Sequence, residues 1–410
     1  LNVLLGALIL LLVRFGMEKD LEDVDINARM TVATGILWAL FLIMLMIMRR
    51  AFRWRRRPPL GGGTAPTRDE VVAALQQHGG GTLSWMTTWE PNEYLRTSGG
   101  IVAYQRHNGV ALALADPIGD PADRATAVAE FIERTERAGA IPCFFSADDA
   151  TRAAVPAGWQ SLVVADDTIV DLPGLEFTGK RWGAIRTATN RAQREGETFA
   201  FSKLADERWG VRAQLQAISE LWVGDKDLPE MRFTLGTLAE AEDPHVRVAI
   251  ATAANGDVDG FLSWLPVYGP GGTVRGWTLD LMRRRPGGFP PVMEYLIGMS
   301  AAAFRDEGAE FLSLSGAPLT HDYPPEAGAI AALSTRLSDL LEPVYGFKSL
   351  HRFKEKFHPR YETLHLLYRE AVDLPRIGVA LTQAFLPGAT LRQYAAAGMD
   401  LVKRDEEEGR

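Results

Sequence analysis

Residues 278–288 (TLDLMRRRPGG) set one acid, Asp280, and three arginines, Arg283, Arg284 and Arg285, where an apolar strand gives way to a Gly/Pro loop. In open α/β sheets ligands gather outside the carboxyl ends of the strands. Guanidinium forks match phosphate and carboxylate geometry. Asp280 suits gripping a substrate ammonium or accepting a proton. A solvated loop, with the acid paired to a neighbouring arginine, is the plainer alternative. Residues 345–357 (YGFKSLHRFKEKF) interleave Lys348, Arg352, Lys354 and Lys356 with Phe347, Phe353 and Phe357. That pattern suits phosphate backbones or lipid headgroups, or an amphipathic segment with a wet face. Residues 179–194 carry Lys180, Arg181, Arg186, Arg191 and Arg194 without an acid. On a helix 187, 191 and 194 share a face, fit to steer a polyanion or simply to face water.

Other chemistries lack their residues. There is no Gly-x-Ser-x-Gly elbow, no P-loop and no His-Glu-x-x-His. The seven histidines show no compact metal spacing. His351 and His358 would share a helical face, which alone makes no site. The single cysteine, Cys143, lies in an apolar run, reads as inert and excludes an internal disulfide.

The elements that must position these residues alternate in kind. A helix is expected at 71–79 and a hairpin at 101–119 around His107-Asn108-Gly109. A helix at 125–139 and strands at 140–147 and 161–172 follow. The order returns as a hairpin around Asn255-Gly256, a strand ending at 283, a helix at 290–309 and a strand at 310–319. One α/β unit used twice explains both runs. With 410 residues, 47% of them hydrophobic, two or three domains are expected.

The amino-terminal end differs. Residues 31–48 are free of charge for 18 positions and are followed by Arg49, Arg50, Arg53, Arg55, Arg56 and Arg57. This reads as a membrane span whose basic end stays in the cytosol. Leu1–Val13 reads as the tail of a further span, with an acidic loop at 18–25 outside. Residues 1–57 carry nine Lys/Arg against five Asp/Glu, and the remainder 35 against 47, so the balance is +4 against −12. An acidic soluble part excludes a general nucleic-acid coat; any such contact needs a local basic patch.

Residues 177–196, 279–297, 312–319 and 345–362 together resemble the cytosolic domain of phosphatidylglycerol lysyltransferases, the multiple peptide resistance factor proteins. The likeness runs over roughly residues 69–370, with Asp-Leu-Met-Arg and Arg-Phe-Lys-x-Lys-Phe as its more specific blocks. It implies an α/β fold of tandem, duplicated GNAT-like acyltransferase units preceded by transmembrane helices. The boundaries would be membrane helices and basic segment at 1–57, linker at 58–68, first unit at 69–175, second, catalytic unit at 176–374, and helix with acidic tail at 375–410. It implies transfer of an aminoacyl group, lysyl foremost, from aminoacyl-tRNA to phosphatidylglycerol without a cofactor. The setting would be the cytoplasmic face of a bacterial membrane, and the outcome resistance to cationic antimicrobial peptides. By the same resemblance Asp280 and Arg283 are catalytic, and Lys354, Lys356, Arg352, Glu294, Ser315 and Glu342 bind substrate. The partners are aminoacyl-tRNA, phosphatidylglycerol and the bilayer, with a homo-oligomer allowed.

Alternatives remain open at this point. Alanyl or ornithyl transfer would use the same mechanism. A membrane-bound acyl-CoA-dependent GNAT enzyme would want a Gly-rich pyrophosphate loop at a helix start. A non-enzymatic scaffold would bind anionic lipid through 49–57 and 345–357.

Overall fold

The computed structural model describes residues 37–38, 40–46, 48, 60, 64–224, 230–318 and 347–387. The chain forms two compact units, Leu1–Pro59 and Leu60–Arg410. In the first, residues 37–38, 40–46 and 48 are helical, with Leu37, Trp38, Phe41, Leu42 and Ile43 exposed. Among the described residues no helix is long and apolar enough to cross a membrane. The span expected at 1–13, the acidic loop at 18–25, the basic run at 49–57, the acidic tail and residues 31–36, 39 and 47 of the span at 31–48 lie outside the described residues.

The second unit opens with helix α1 (Arg68–His78), whose Thr67 cap and Glu70 form a reciprocal capping box. Strands β1 (Glu93–Thr97), β2 (Gly100–His107) and β3 (Val110–Leu114) follow. The β2–β3 turn has Asn108 at φ 47 and Gly109 at φ 80, the pair of positive φ angles that a tight hairpin turn needs. Helix α2 (Arg124–Arg137) carries the chain to β4 (Ile141–Ala147), and α3 (Asp149–Ala154) to β5 (Gln160–Asp171). Then come α4 (Gly183–Glu195), β6 (Thr198–Ser202) and α5 (Trp209–Gly224). Strands β7 (Arg247–Thr252), β8 (Val258–Tyr268) and β9 (Val274–Arg284) lead to α6 (Val292–Asp306) and β10 (Phe311–Pro318). Helix α7 (Phe347–Lys354), strand β11 (Arg360–Tyr368) and helix α8 (Leu374–Phe385) close the described chain.

Among the described residues all the strands join one sheet of eleven, in the order β1-β2-β3-β4-β11-β5-β10-β9-β8-β7-β6. Two pairs are parallel, β3 with β4 and β9 with β10, and each is bridged by one helix, α2 or α6. This is the repeated hairpin–helix–strand order expected from the sequence. Ser146 at the end of β4 and Ser315 in β10, each in the strand that follows the bridging helix of a parallel pair, both take positive φ, 58 and 66. The sheet runs unbroken past 175/176, because β11 lies between β4 and β5 while β5 pairs with β10.

Alternation along the strands assigns the two faces. Val248 and Ile250 of β7 share an apolar cluster with Leu215 and Ile218 of α5, and along the same face that cluster extends to Ile377 and Leu381 of α8, which lies on β2 and β3. Ala249 and Ala251 pack instead with Ile185 and Ala188 of α4 and with Leu296 and Phe304 of α6. Phe304 stacks between Phe201 and Trp277, with ring centroids 4.8 and 4.9 Å away. The α4/α6 layer is therefore pinned by aromatic contact as well as by area.

Candidate active site

The strand expected to end at 283 runs to Arg284 as β9, and Asp280 lies within it, near its carboxyl end. A bulge makes the position special. Leu262 of β8 pairs with Met282 and Trp264 with Leu279, so Ser263 alone opposes both Asp280 and Leu281. Ser263 Oγ accepts from the Leu281 N–H at 2.9 Å and lies 3.4 Å from Asp280 Oδ2. The consequence appears in the packing. Leu279 joins the cluster of Trp264 and Phe304, while Leu281, two residues on, joins that of Leu215 and Phe261 on the opposite face. In a regular strand positions 280 and 283 would point to opposite faces. The extra residue turns both toward the α5 side.

On that side the backbone N–H of Gly236 donates to Asp280 Oδ1 at 2.8 Å. Burial pushes the Asp280 carboxyl up to about 7, against the Gly236 hydrogen bond and the Arg283 charge, while Glu240 adds to the rise. Arg283 is 8% exposed and lies over the Trp222 ring of α5, 3.4 Å from its centroid. Its Nη2 is 3.7 Å from Glu230 Oε1. Burial also raises the Glu230 carboxyl, with Arg283 opposing. Glu240 is held 2.7 Å from Arg232. The glycine at 236 is required by this arrangement. A Cβ there would stand 2.2 Å from Asp280 Oδ2. Gly236→Ala should therefore displace the carboxylate and lower kcat/KM by about 100-fold, the scale of a 1 Å misplacement at a reacting centre. Unchanged kcat/KM in that variant would remove Gly236 from the site.

The other half of the site lies where β9 and β10 part. They pair only from Gly276 to Thr278 against Phe311 to Ser313. Ser315 then turns, with φ 66, and its Oγ donates to the Leu279 carbonyl, next to Asp280. The Ser315 N–H donates to Ser313 Oγ at 2.9 Å, and Ser313 Oγ donates to Asp167 Oδ1 at 2.5 Å. Thr82 Oγ1 donates to Asp167 Oδ2 at 2.5 Å, and Thr278 Oγ1 donates to the Thr82 carbonyl at 2.7 Å. Lys354, 3% exposed, donates to the Ser315 carbonyl at 2.8 Å and to that of Gly316 at 3.4 Å. Burial brings its ammonium down to about 8, with Asp167 opposing. Burial raises Asp167, countered by Ser313, Thr82 and Lys354.

Asp280, Arg283, Ser315 and Lys354 thus belong to one connected arrangement. Lys356 and Glu294 form a separate pair, 2.8 Å apart, in which Glu294 stands in the first turn of α6. The two lysines diverge because α7 ends at Lys354 and a tight turn, Glu355–Phe357, follows. That break also corrects the helical face expected for His351 and His358: His358 has φ 49 and packs edge-on against Trp182. Arg352 is exposed, with no carboxylate within 4.0 Å among the described residues. Glu342 lies outside the described residues. Trp222, Glu230, Gly236, Ser263 and Asp167 were missed. Only Asp167 left a signal, as one of the two adjacent acids, Asp166 and Asp167, between the apolar stretches of β5.

An acid near neutrality can hold an ammonium or move a proton. A buried guanidinium suits a phosphate. An ammonium carries three donors, and Lys354 commits two of them to carbonyls, which leaves one to meet a developing negative oxygen. Among the described residues there is no group of three His, Cys, Asp or Glu side chains that could hold a metal ion.

Residues 72–368 match the family model described as phosphatidylglycerol lysyltransferase, C-terminal. An uncharacterised protein of Corynebacterium glutamicum is 38% identical over 327 residues, 77% of this chain and 41% of that protein. The lysylphosphatidylglycerol biosynthesis bifunctional protein of Gordonia bronchialis is 27% identical over 73% of this chain and 27% of its own length. A phosphatidylglycerol lysyltransferase of Staphylococcus xylosus is 22% identical over 91% of this chain and 44% of its own. The chain therefore spans less than half the length of these relatives. The C-terminal domain of a putative lysylphosphatidylglycerol synthetase from Agrobacterium fabrum shares the fold at TM-score 0.67 and 23% identity, over 79% of this chain and 99% of that one. So does L-PGS from Bacillus licheniformis, at 0.68 and 22%, over 79% and 98%.

Proposed function

The chain belongs to the phosphatidylglycerol lysyltransferase family, and from that premise we propose that it moves an aminoacyl group from aminoacyl-tRNA to a glycerol hydroxyl of phosphatidylglycerol. The observation that carries the proposal is the β9 bulge, which turns Asp280 and Arg283 to one face beside the parting of β9 and β10. The two parallel pairs with their bridging helices support the finer reading of the fold as tandem GNAT-like units.

The reaction is a transesterification. A lipid hydroxyl oxygen bonds to the ester carbonyl carbon, a tetrahedral intermediate forms, and the bond to the ribose oxygen breaks. The hydroxyl proton ends on that ribose oxygen. Ester replaces ester, so the charged tRNA is the only energy source required. Asp280, ionised, grips the α-ammonium of the aminoacyl group. Arg283 binds phosphate, and Trp222 behind it fixes the plane of the guanidinium. Lys354 offers its remaining N–H to the tetrahedral oxygen; one such donor typically contributes about 3 kcal/mol. No covalent enzyme intermediate is needed. Glu230 and Glu240 lie with Asp280 on this face, three carboxylates against the guanidinium groups of Arg283 and Arg232. That balance favours a cationic lysyl group over alanyl. The exposed apolar helix residues of the amino-terminal unit support membrane attachment, which would hold the domain at the leaflet carrying its acceptor and raise local concentration. Esterified lipid with a cationic headgroup would lower surface charge and repel cationic peptides.

The test is an assay with lysyl-tRNA and phosphatidylglycerol vesicles. Wild type should form lysyl lipid. Arg283→Ala should lose about 100-fold or more in kcat/KM, and Trp222→Ala, which leaves the charge but frees its orientation, about tenfold. Full activity in Arg283→Ala would sink the site assignment. Absence of any aminoacyl lipid with wild type would sink the function.

A further inference from the structure

The motif at 179–194 has no part in the chemistry above, yet its outer surface is unusual for this acidic protein. Lys180, Arg181, Arg186, Arg194 and, on α7, Arg352 are all exposed. Among the described residues none of the five has a carboxylate within 4.0 Å. Most other arginines of the domain do, as in Arg96–Glu70 at 2.6 Å, Arg212–Glu242 at 2.5 Å and Arg369–Glu136 at 2.8 Å. Two nearby acids are engaged: Glu195 by Arg191 at 2.6 Å and Glu294 by Lys356 at 2.8 Å. The two basic segments are tied together. His358, just past α7, meets the Arg181 carbonyl through Nε2 at 3.0 Å and sets its ring against Trp182. The result is one unneutralised surface along α4, whose 13 residues span about 20 Å, reaching the segment that supplies Lys354.

We propose that this surface docks the sugar–phosphate backbone of the RNA donor. The inference rests on the aminoacyl-tRNA reading above and adds to it where the RNA lies. Polyanion binding needs clustered cations free of internal acids. A helix seated in a bilayer would also need an apolar outer face, and the exposed positions between these cations are Ala184, Thr187, Asn190 and Gln193. Of the large exposed apolar side chains of the domain, Trp209 at 84% and Leu221 lie on α5, across the sheet, while Tyr361 stands beside His351 of α7 and none lies on α4 among the described residues. The chemistry of α4 thus fits phosphates in water and not lipid.

The test uses the full chain in detergent and uncharged tRNA, so that binding is read without catalysis. The triple variant Lys180→Ala/Arg186→Ala/Arg194→Ala spares Arg181, which packs over Trp182. Arg137→Ala, at an exposed ion pair on α2, serves as the charge control. Each phosphate contact contributes a slope of about −0.9 to log K against log salt on a duplex. The triple variant should bind tRNA at least tenfold more weakly and lose about two units of that slope, with an unchanged melting temperature. The control should match wild type. Flotation with phosphatidylglycerol vesicles should be unaffected. Equal tRNA affinity and slope in wild type and triple variant would overturn the docking surface while leaving the transferase reading intact. A loss of vesicle binding in place of tRNA binding would reassign the surface to the membrane. Wild type that binds no tRNA at all would overturn both.

Discussion

Asp280→Asn should abolish transfer and leave the protein folded. The side chain keeps its size, and its remaining oxygen can still accept from Gly236, so the packing of β9 against β8 survives. What disappears is the charge that holds the ammonium, and a loss of at least about 100-fold in kcat/KM is expected. The same carboxyl gives a pH signature. Its native pKa of about 7 lies above the ordinary 3.8. Between those values the folded state binds the extra proton, so this group's contribution to stability falls as pH rises through that window. The asparagine variant lacks the term, and its melting temperature should gain on wild type between pH 4 and pH 8. Activity runs the other way. In wild type kcat/KM should rise as Asp280 ionises near 7 and fall as the Lys354 ammonium, at about 8, is lost. A narrow bell is expected. Lys354→Arg, if active, should keep the acid limb and lose the alkaline one. A flat wild-type profile from pH 6 to 9 would contradict both assignments.

Lys354→Met should cost both stability and activity, because this ammonium supports the parting of β9 and β10. It caps the carbonyls of Ser315 and Gly316 and is the counter-charge of buried Asp167. Removing one partner of a buried pair typically costs about 3–5 kcal/mol. Part of that is recovered where the orphaned carboxyl stays protonated, and Asp167 is already shifted that way. A destabilisation of about 3 kcal/mol in urea unfolding is therefore expected, with transfer reduced by about 100-fold or more. The double variant Asp167→Asn/Lys354→Met separates the two effects. It should regain stability, since no buried charge is left unpaired, and remain inactive, since the donor is still missing. Recovery of transfer in the double variant would reduce Lys354 to a structural role.

Much of this was open to a reader of the chain. Period-two and helical patterns placed the helices and strands around both repeats, because hydrophobic spacing and Asn-Gly turns act locally. The acid and guanidinium of Asp280 and Arg283 stood out because two opposite charges in an apolar run are costly unless used. The Arg-Phe-Lys-x-Lys-Phe block marked Lys354, but not that Lys354 turns inward while Lys356 meets Glu294 on α6. That difference depends on where α7 ends. Trp222 and Glu230 were silent because an aromatic on an amphipathic helix and an acid in a connecting segment are ordinary until Arg283 lies against them.

The amino-acid order alone decided the alternating elements, their repeated order, the apolar amino-terminal run and the basic stretch at 180–194 that holds no acid, since each is a matter of neighbouring residue types. Tertiary structure decided which face Asp280 and Arg283 share. Three residues apart, they would diverge in a regular strand, and only the pairing of β8 with β9, with Ser263 alone against Asp280 and Leu281, turns them together. It also decided that β11 enters between β4 and β5. Register and strand order are set by partners distant in the chain, and no local pattern encodes them.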